Sequence, residues 1–239
     1  TTDSQKESTR KALLNKEFRQ ALNFAVDRNS YSAQTNGTDG AAVAIRNTFT
    51  PYNLPVGDKQ FGKLVEESLA KTNSGTWSNI SLADSQNGLY NEEKAKAAFA
   101  KAKESLKAEG VEFPIHLDAL VIQESTAVVN RVQSLKQSLE ATLGTDNVVV
   151  DIQQLPKDEV LNVTYFAESA AGEDWDLSDN VGWTPDFADP STYLDIIKPS
   201  VGENTKTYLG FDSGTNNAAA KQVGLEDYEK MVVDRKSTR

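Results

Sequence analysis

Two aspartates lie close together in a stiff stretch of the chain, NVGWTPDFADPSTYLDII at residues 180–197. Asp186 and Asp189 are three positions apart in the sequence, and Trp183 lies three positions before the first of them. The prolines beside the two aspartates fix their own φ angles and push the residues before them toward extended conformations. A restrained carboxylate near an aromatic ring predicts either a site for a positively charged group or a site of acid–base chemistry.

Catalysis and metal binding make specific demands on this segment. A carboxylate-dependent hydrolase of glycosidase type would use Asp186 and Asp189, one with a raised pKa and one with an ordinary pKa. Their two carboxyl groups would have to lie about 5 Å or roughly 6.5–9.5 Å apart. A calcium loop would draw on Asp174, Asp176 and Asp179 in DWDLSDN. That spacing misses the EF-hand pattern, and the glutamate that should close the loop is absent. Both readings stay open as alternatives to simple binding.

A receptor for an ammonium group asks less of the sequence. One stiff carboxylate, Asp186, can accept a charge-assisted hydrogen bond from a peptide's terminal amine while Trp183 offers an apolar wall. The backbone around Gly182 can pair with an extended peptide as an added strand. Asp189 stands before a proline, which is typical of a helix N-cap, so we expect it to cap a helix. A surface adhesion module with a merely solvated acidic turn remains a further alternative.

The composition limits the classes of function. The 239 residues carry a formal net charge of −10 at pH 7, with 38% hydrophobic and 25% charged residues, as is typical of a globular protein. Scattered acid disfavours nucleic acid and anionic membranes as partners, because basic faces bind both. The sequence has no cysteine, which excludes disulfides and thiolate zinc sites. The single histidine, His116, is predicted to be an ordinary strand residue, so no Ser-His-Asp triad is expected.

The elements that must position the acidic segment follow from periodicity and caps. Apolar spacing, cap residues and closing glycines predict helices at residues 14–28, 59–71, 91–110 and 225–233. Residues 29–57 are rich in Asn, Thr, Gly and Pro and are predicted to be irregular. No apolar run approaches the roughly 20 residues of a membrane span, and the polar start TTDSQKESTRK is unlike a signal peptide.

The middle of the chain alternates between two types of pattern. Strands are predicted at residues 113–122, from Val148, and within DWDLSDNVGW, with helices at 125–143 and from Pro156 between them. This order predicts a βαβ sheet with crossover helices. Ligands of open α/β sheets collect beyond the carboxyl ends of the strands. The acidic segment follows the third predicted strand and therefore lies in that place.

Three stretches in this order resemble a known family. EFRQALNFAVDR, LYNEEKAKAAFAKAK and DWDLSDNVGWTPDFADPSTYLDII are similar to the extracellular oligopeptide-binding proteins of ABC importers, solute-binding protein family 5. The likeness is greatest to Gram-positive lipoproteins of the Ami/Ali type and extends from about Asn15 to Val233. It implies an α/β fold, a periplasmic-binding-protein-like type II lobe with a mixed, mostly parallel sheet and helices on both faces.

The resemblance also implies site residues and partners. It implies a non-enzymatic receptor in which Asp186 grips the α-amino group of an oligopeptide and Trp183 contacts it. Main chain at Gly182 and Thr184 pairs with the peptide, and Asn180 and Val181 complete the peptide-binding segment. No cofactor, metal or catalytic residue is implied. The implied partners are oligopeptides and an ABC permease, reached through the full-length receptor.

The resemblance further predicts how the chain is organised and where it works. Residues 1–239 are predicted to form a single lobe, the carboxyl-terminal peptide-binding lobe of a two-lobed receptor. Residues 1–14 and 234–239 are predicted to be hinge-proximal or artificial ends. The full-length receptor is expected to be extracellular and held at the outer face of the cell membrane by a lipid anchor that this chain does not carry.

Overall fold

The chain divides into two compact units. The structure, a computed structural model, describes residues 2–72, 75–84, 86–179, 184–187, 189–200, 217–222 and 224–237. Unit 1 comprises Thr1–Leu155 and Trp175–Asp179, and unit 2 comprises Pro156–Asp174 and Asn180–Arg239. The placement of the whole chain in a single carboxyl-terminal lobe stays a prediction.

Unit 1 holds most of the regular structure. Its helices are α1 (Asp3–Leu14), α2 (Lys16–Ala25), α3 (Arg28–Ala44), α4 (Phe61–Leu69), α5 (Glu92–Ala108) and α6 (Thr126–Leu143). Its strands are β1 (Pro55–Val56), β2 (Lys59–Gln60), β3 (Ile115–Ile122), β4 (Val148–Leu155) and β5 (Leu177–Ser178). Strands β1 and β2 pair as a small antiparallel hairpin.

The larger sheet has three strands in the order β4-β3-β5. Strand β3 pairs in parallel with β4 from Ile115↔Val148 to Ile122↔Leu155. It also pairs in parallel with β5, at Ala119↔Leu177 and Leu120↔Ser178. Helix α6 connects β3 to β4 as the crossover that parallel strands require. The predicted α/β class and its βαβ unit are confirmed.

The core of unit 1 joins this sheet to α2 and α5. Phe18 of α2, Leu106 of α5 and Leu117 of β3 are each 0% exposed. The rings of Phe18 and Phe99 pack with centroids 6.2 Å apart. The predicted cap of α2 is present, since the Asn15 side chain accepts a hydrogen bond from the Phe18 N–H at 3.0 Å. Local capping and core burial therefore favour the same start for α2.

Helix α3 contradicts the prediction of an irregular segment at 29–57. Residues 28–44 are helical, with a kink at Gly37, whose φ is 67°. The Asp27 side chain caps the helix by accepting from the Ser30 N–H at 3.0 Å, and Ser32 and Ala41 are buried. Helix α3 packs against α6. Tertiary packing thus overrides the weak helix propensity of a segment rich in Asn, Thr and Gly.

The first residues of the chain belong to the packed part of unit 1. Thr9 and Ala12 of α1 are 3% and 0% exposed. The Thr9 hydroxyl donates a hydrogen bond to the backbone carbonyl of His116 at 2.6 Å. Helix α1 therefore covers part of β3, while the hinge-proximal character of residues 1–14 stays a prediction.

Unit 2 is built from short helices. They are α7 (Lys157–Asn162), α8 (Pro190–Tyr193), α9 (Asn217–Gln222) and α10 (Leu225–Ser237), together with short 3-10 turns at Ala170–Gly172 and Asp195–Ile197. The helix predicted from Pro156 is present but short, and the one predicted near 225–233 is present and longer. Across the part of the chain that the structure describes, no helix has both the length and the apolar character needed to cross a membrane.

Candidate functional site

The predicted anchor, Asp186, lies at the surface of unit 2. Its side chain is exposed, as is that of Thr184. Among the residues that the structure describes, Asp186 has no hydrogen-bond or ion-pair partner. The carboxylate is therefore accessible to a ligand. The other residues of the predicted peptide-binding segment, Asn180, Val181, Gly182 and Trp183, lie outside the described residues.

Asp189, the second aspartate of the motif, is the N-cap of α8. Its Oδ1 accepts hydrogen bonds from the Ser191 N–H at 2.9 Å and the Ser191 hydroxyl at 2.5 Å. Its backbone is extended, with φ −123° and ψ 135°, as the following proline requires. The predicted capping role is confirmed. The two aspartates thus have different surroundings, because Asp189 is hydrogen-bonded to Ser191 whereas Asp186 faces solvent.

Removing this cap has a predictable cost. We expect Asp189→Ala to destabilise the start of α8 by about 1 kcal/mol, whereas Asp189→Asn should be nearly neutral because asparagine caps equally well. Hydrogen exchange of the Ser191 amide measures the difference directly, since that N–H donates to Asp189. Faster exchange in both variants, or in neither, would contradict the capping assignment.

Exposed aromatic side chains add apolar surface to unit 2. Phe187, which directly follows Asp186, is 75% exposed. Tyr165 and Phe166 are 48% and 61% exposed, and their rings meet edge to face with centroids 5.5 Å apart. These rings therefore present exposed apolar surface on unit 2.

Two of the three aspartates of DWDLSDN, Asp176 and Asp179, accept hydrogen bonds from donors of the protein. Asp176 Oδ2 accepts from the Asp118 N–H at 2.8 Å, and the Asp176 N–H donates to the Asp118 carbonyl at 2.9 Å. Asp179 Oδ2 accepts from Arg131 Nε at 2.7 Å. Within the described ranges, no three His, Cys, Asp or Glu side chains form a group suited to a metal ion. The structure therefore gives the calcium alternative no support there.

Asp179 is the centre of a side-chain cluster that the sequence analysis missed. Besides Arg131, it receives a hydrogen bond from the Tyr31 hydroxyl. The Arg131 guanidinium also lies 5.8 Å from the centroid of the Tyr31 ring. The three residues come from β5's end, α6 and α3, and no local pattern connects them. Only the fold brings them together.

The pKa shifts of Tyr31 and Arg131 both favour the hydrogen bonds that these residues donate to Asp179. Burial raises the pKa of the Tyr31 hydroxyl, and the hydrogen bond to the Asp179 carboxylate raises it further. Burial alone would lower the pKa of Arg131, but its hydrogen bond to Asp179 raises that pKa above the ordinary value. Tyr31 therefore stays a neutral donor and Arg131 a cation.

His116 behaves as the ordinary strand residue that was predicted. It lies within β3, and its Nδ1 is 2.7 Å from Asp151 Oδ2 on the neighbouring strand β4. The imidazole is therefore held by a cross-strand contact within the sheet.

Comparisons with known proteins bear on the whole chain. The family described as bacterial extracellular solute-binding proteins, family 5 Middle, matches residues 4–205. The oligopeptide-binding protein AliA of Streptococcus pneumoniae is 67% identical over 235 residues, which are 98% of this chain and 36% of AliA. The oligopeptide-binding protein SarA of Streptococcus gordonii is 61% identical over 233 residues, covering 97% of this chain and 35% of SarA. The chain thus spans about a third of the length of these relatives.

Solved structures of low sequence identity share the fold. The substrate-binding domain of an oligopeptide ABC transporter from Bacillus anthracis superposes with a TM-score of 0.56 at 22% identity, covering 82% of this chain and 31% of that one. OppA of Listeria monocytogenes, solved with a bound peptide, gives a TM-score of 0.55 at 21% identity, covering 82% and 32%. Since the family match takes in most of the chain and the fold agrees with it, the chain belongs to the bacterial extracellular solute-binding proteins of family 5.

Proposed function

We propose that this chain supplies a peptide-binding part of an oligopeptide receptor that serves an ABC importer. The proposal is supported by membership of family 5 and by the high identity to AliA and SarA, both named oligopeptide-binding proteins. The receptor binds its ligand and passes it to a permease without chemical change. It works outside the cell, and in its full length a lipid anchor holds it at the outer face of the membrane.

Asp186 is the proposed anchor for the α-ammonium group of the peptide. The observation that carries this proposal is its exposed carboxylate, which has no partner among the described residues. A carboxylate free of internal partners accepts a charge-assisted hydrogen bond from an ammonium group without first breaking another. The proline before it limits the backbone freedom that binding would otherwise have to remove.

The rest of the proposed site recognises the peptide as a chain. Trp183 contacts the peptide beside the amine, and main-chain groups of Asn180, Val181, Gly182 and Thr184 pair with its backbone. Main-chain pairing ignores side-chain identity, so it suits a receptor of oligopeptides of varied sequence. The exposed ring of Phe187 offers a side chain of the peptide an apolar contact.

The hydrolase alternative requires two carboxyl groups that are free to act on a substrate. Asp189 holds the N–H and hydroxyl of Ser191, so using it as an acid or base would cost α8 its cap. Binding without catalysis needs Asp186 alone and leaves the cap in place. We therefore favour the binding role.

Calorimetry with paired peptides tests the proposal. The protein to use is a receptor of the relatives' full length in which this chain provides the matched part, called the long receptor below. It should bind a peptide with a free amine about tenfold or more tightly than the N-acetylated peptide of the same sequence, because acetylation removes the charge and a donor. Equal affinity for the two peptides would refute the amine anchor, and release of peptide fragments would show an enzyme instead.

A further inference from the structure

An open cavity lies between helices α2 and α5 of unit 1. Its volume is about 590 Å³, which is within the range of small-molecule sites, about 300–1,000 Å³. On α5 it is lined by Lys94, Ala97, Ala98 and Lys101. These residues follow one another at helical spacing and therefore share one face of α5. The other lining residues belong to α2 and to residues 75–76, so the cavity lies wholly within unit 1.

The charge of this cavity is opposite to that of the chain. Three of its ten lining residues are lysines and one, Glu17, is acidic, whereas the chain has a net charge of −10. Within the described residues, Lys94 and Lys101 have no carboxylate partner. Lys96, on another face of α5, does have one, since its Nζ lies 3.4 Å from Glu92. Two ammonium groups without a paired carboxylate therefore line one cavity, where each attracts an anion.

Lys94 is held at the cavity by contacts that leave its charge unpaired. Its Nζ donates to the Thr76 carbonyl at 3.4 Å and lies 5.4 Å from the centroid of the Phe24 ring. An ammonium group has three donors, and this one long hydrogen bond uses only one of them. Because the side chain is already held, an anion that binds it has less side-chain entropy to remove.

The lining also has an apolar part, formed by Phe24, Ala97 and Ala98. A hydrated inorganic ion would leave this part uncovered, whereas an organic anion with an apolar body would cover it. The carboxylate of Glu17 in the same lining disfavours ligands with several negative charges. A single carboxylate on an apolar body therefore matches the cavity best.

We propose that the cavity is a binding site for a small carboxylate with an apolar body, whose charged group meets Lys94 and Lys101. The inference goes beyond the proposed function and does not depend on it, because none of these residues belongs to the proposed peptide-binding segment.

Phenylacetate is a suitable probe of the 239-residue chain. Trp77 stacks on Phe24 with ring centroids 5.0 Å apart, so its indole N–H signal in NMR spectra should shift on binding, and Trp77→Phe identifies that signal. We expect a Kd on the order of 1 mM, as is typical of a ligand of about ten non-hydrogen atoms. Phenylacetamide, which has the same shape without the charge, and inorganic phosphate should each bind at least about fivefold more weakly.

Each alternative result with these probes overturns a part of the inference. Equal binding of phenylacetamide would exclude a role for the lysines, and equal binding of phosphate would exclude a role for the apolar lining. No shift of the Trp77 signal with phenylacetate would overturn the site itself.

Two lysine variants locate the charge that binds the probe. Lys94→Met and Lys101→Met each remove one ammonium group and keep a long side chain, and each should weaken phenylacetate binding about threefold or more. Lys96→Met is the matched control, because Lys96 is exposed on the same helix and outside the lining. It makes the same change to the net charge and should alter binding less than twofold. Equal losses in all three variants would show attraction by net charge alone and overturn the inference.

Ala97→Leu tests the cavity without changing a charge. Ala97 is exposed and lines the cavity, so leucine should occupy part of its volume while α5 stays helical. Ala100→Leu is the control, since Ala100 is exposed on α5 and outside the lining. We expect Ala97→Leu to weaken phenylacetate binding about fivefold or more and Ala100→Leu to leave it unchanged. Unchanged binding in Ala97→Leu, or equal losses in both variants, would mean that the probe binds elsewhere and would overturn the inference.

Discussion

Truncating Phe18 to alanine is expected to lower the free energy of unfolding of unit 1 by about 3–5 kcal/mol. The ring is 0% exposed and packs against Phe99, so its removal leaves a cavity between α2, α5 and the sheet. That loss is a large share of the roughly 5–15 kcal/mol by which a domain is stable. Exchange of the β3 amides under native conditions measures the change in unit 1, because these amides lie at the centre of its sheet.

Phe49→Ala provides the matched control. It removes the same ring from the same unit, but at a position that is 68% exposed. We expect its effect to stay within about 0.5 kcal/mol. A small effect of Phe18→Ala, or equal effects of the two variants, would mean that α2 is not part of the core described above.

The helices that were predicted correctly carry their own local signals. Asn15 and Asn91 cap α2 and α5 through hydrogen bonds to the N–H groups of Phe18 and Lys94. Gly144, at the end of α6, has a φ of 87°, which favours glycine. Caps, closing glycines and apolar periodicity act over a few residues, so the sequence alone reveals them.

Helix α3 shows where such local signals stop. Its sequence, rich in Ser, Asn, Thr and Gly, favours turns when taken alone. The helix is stabilised by the burial of Ser32 and Ala41 and by packing against α6. Helix α6 lies about a hundred positions further along the chain, so the local sequence gives no sign of this contact. Predictions from local propensity miss helices that tertiary contacts stabilise.

The candidate site also contains both kinds of feature, those that the local sequence predicts and those that depend on distant residues. The capping role of Asp189 was predictable because its partner, Ser191, is two residues away. The cluster around Asp179 was not, since Tyr31 lies 148 residues and Arg131 lies 48 residues from it in sequence. Residue types and spacing make Asp186 a candidate, whereas only the fold brings Asp179, Arg131 and Tyr31 together.

Replacing Asp186 with asparagine should weaken peptide binding by the long receptor by about 1.5–3 kcal/mol, which is roughly tenfold to 150-fold in Kd. Asparagine keeps the size and one carbonyl oxygen, so the change removes mainly the charge that the α-ammonium group meets. Calorimetry gives the affinity directly. The loss should appear with free-amine peptides and largely vanish with N-acetylated ones, because the two changes remove the same interaction.

Asp58→Asn controls for charge alone. Asp58 is also exposed, lies in unit 1, and its replacement makes the same change to the net charge of −10. If long-range attraction of a cationic peptide were responsible, both variants would weaken binding, and added salt would remove the difference from the unmodified receptor. A direct hydrogen bond to the amine instead predicts that only Asp186→Asn weakens binding and that this loss persists at high salt. An unchanged affinity in Asp186→Asn would mean that another residue binds the amine.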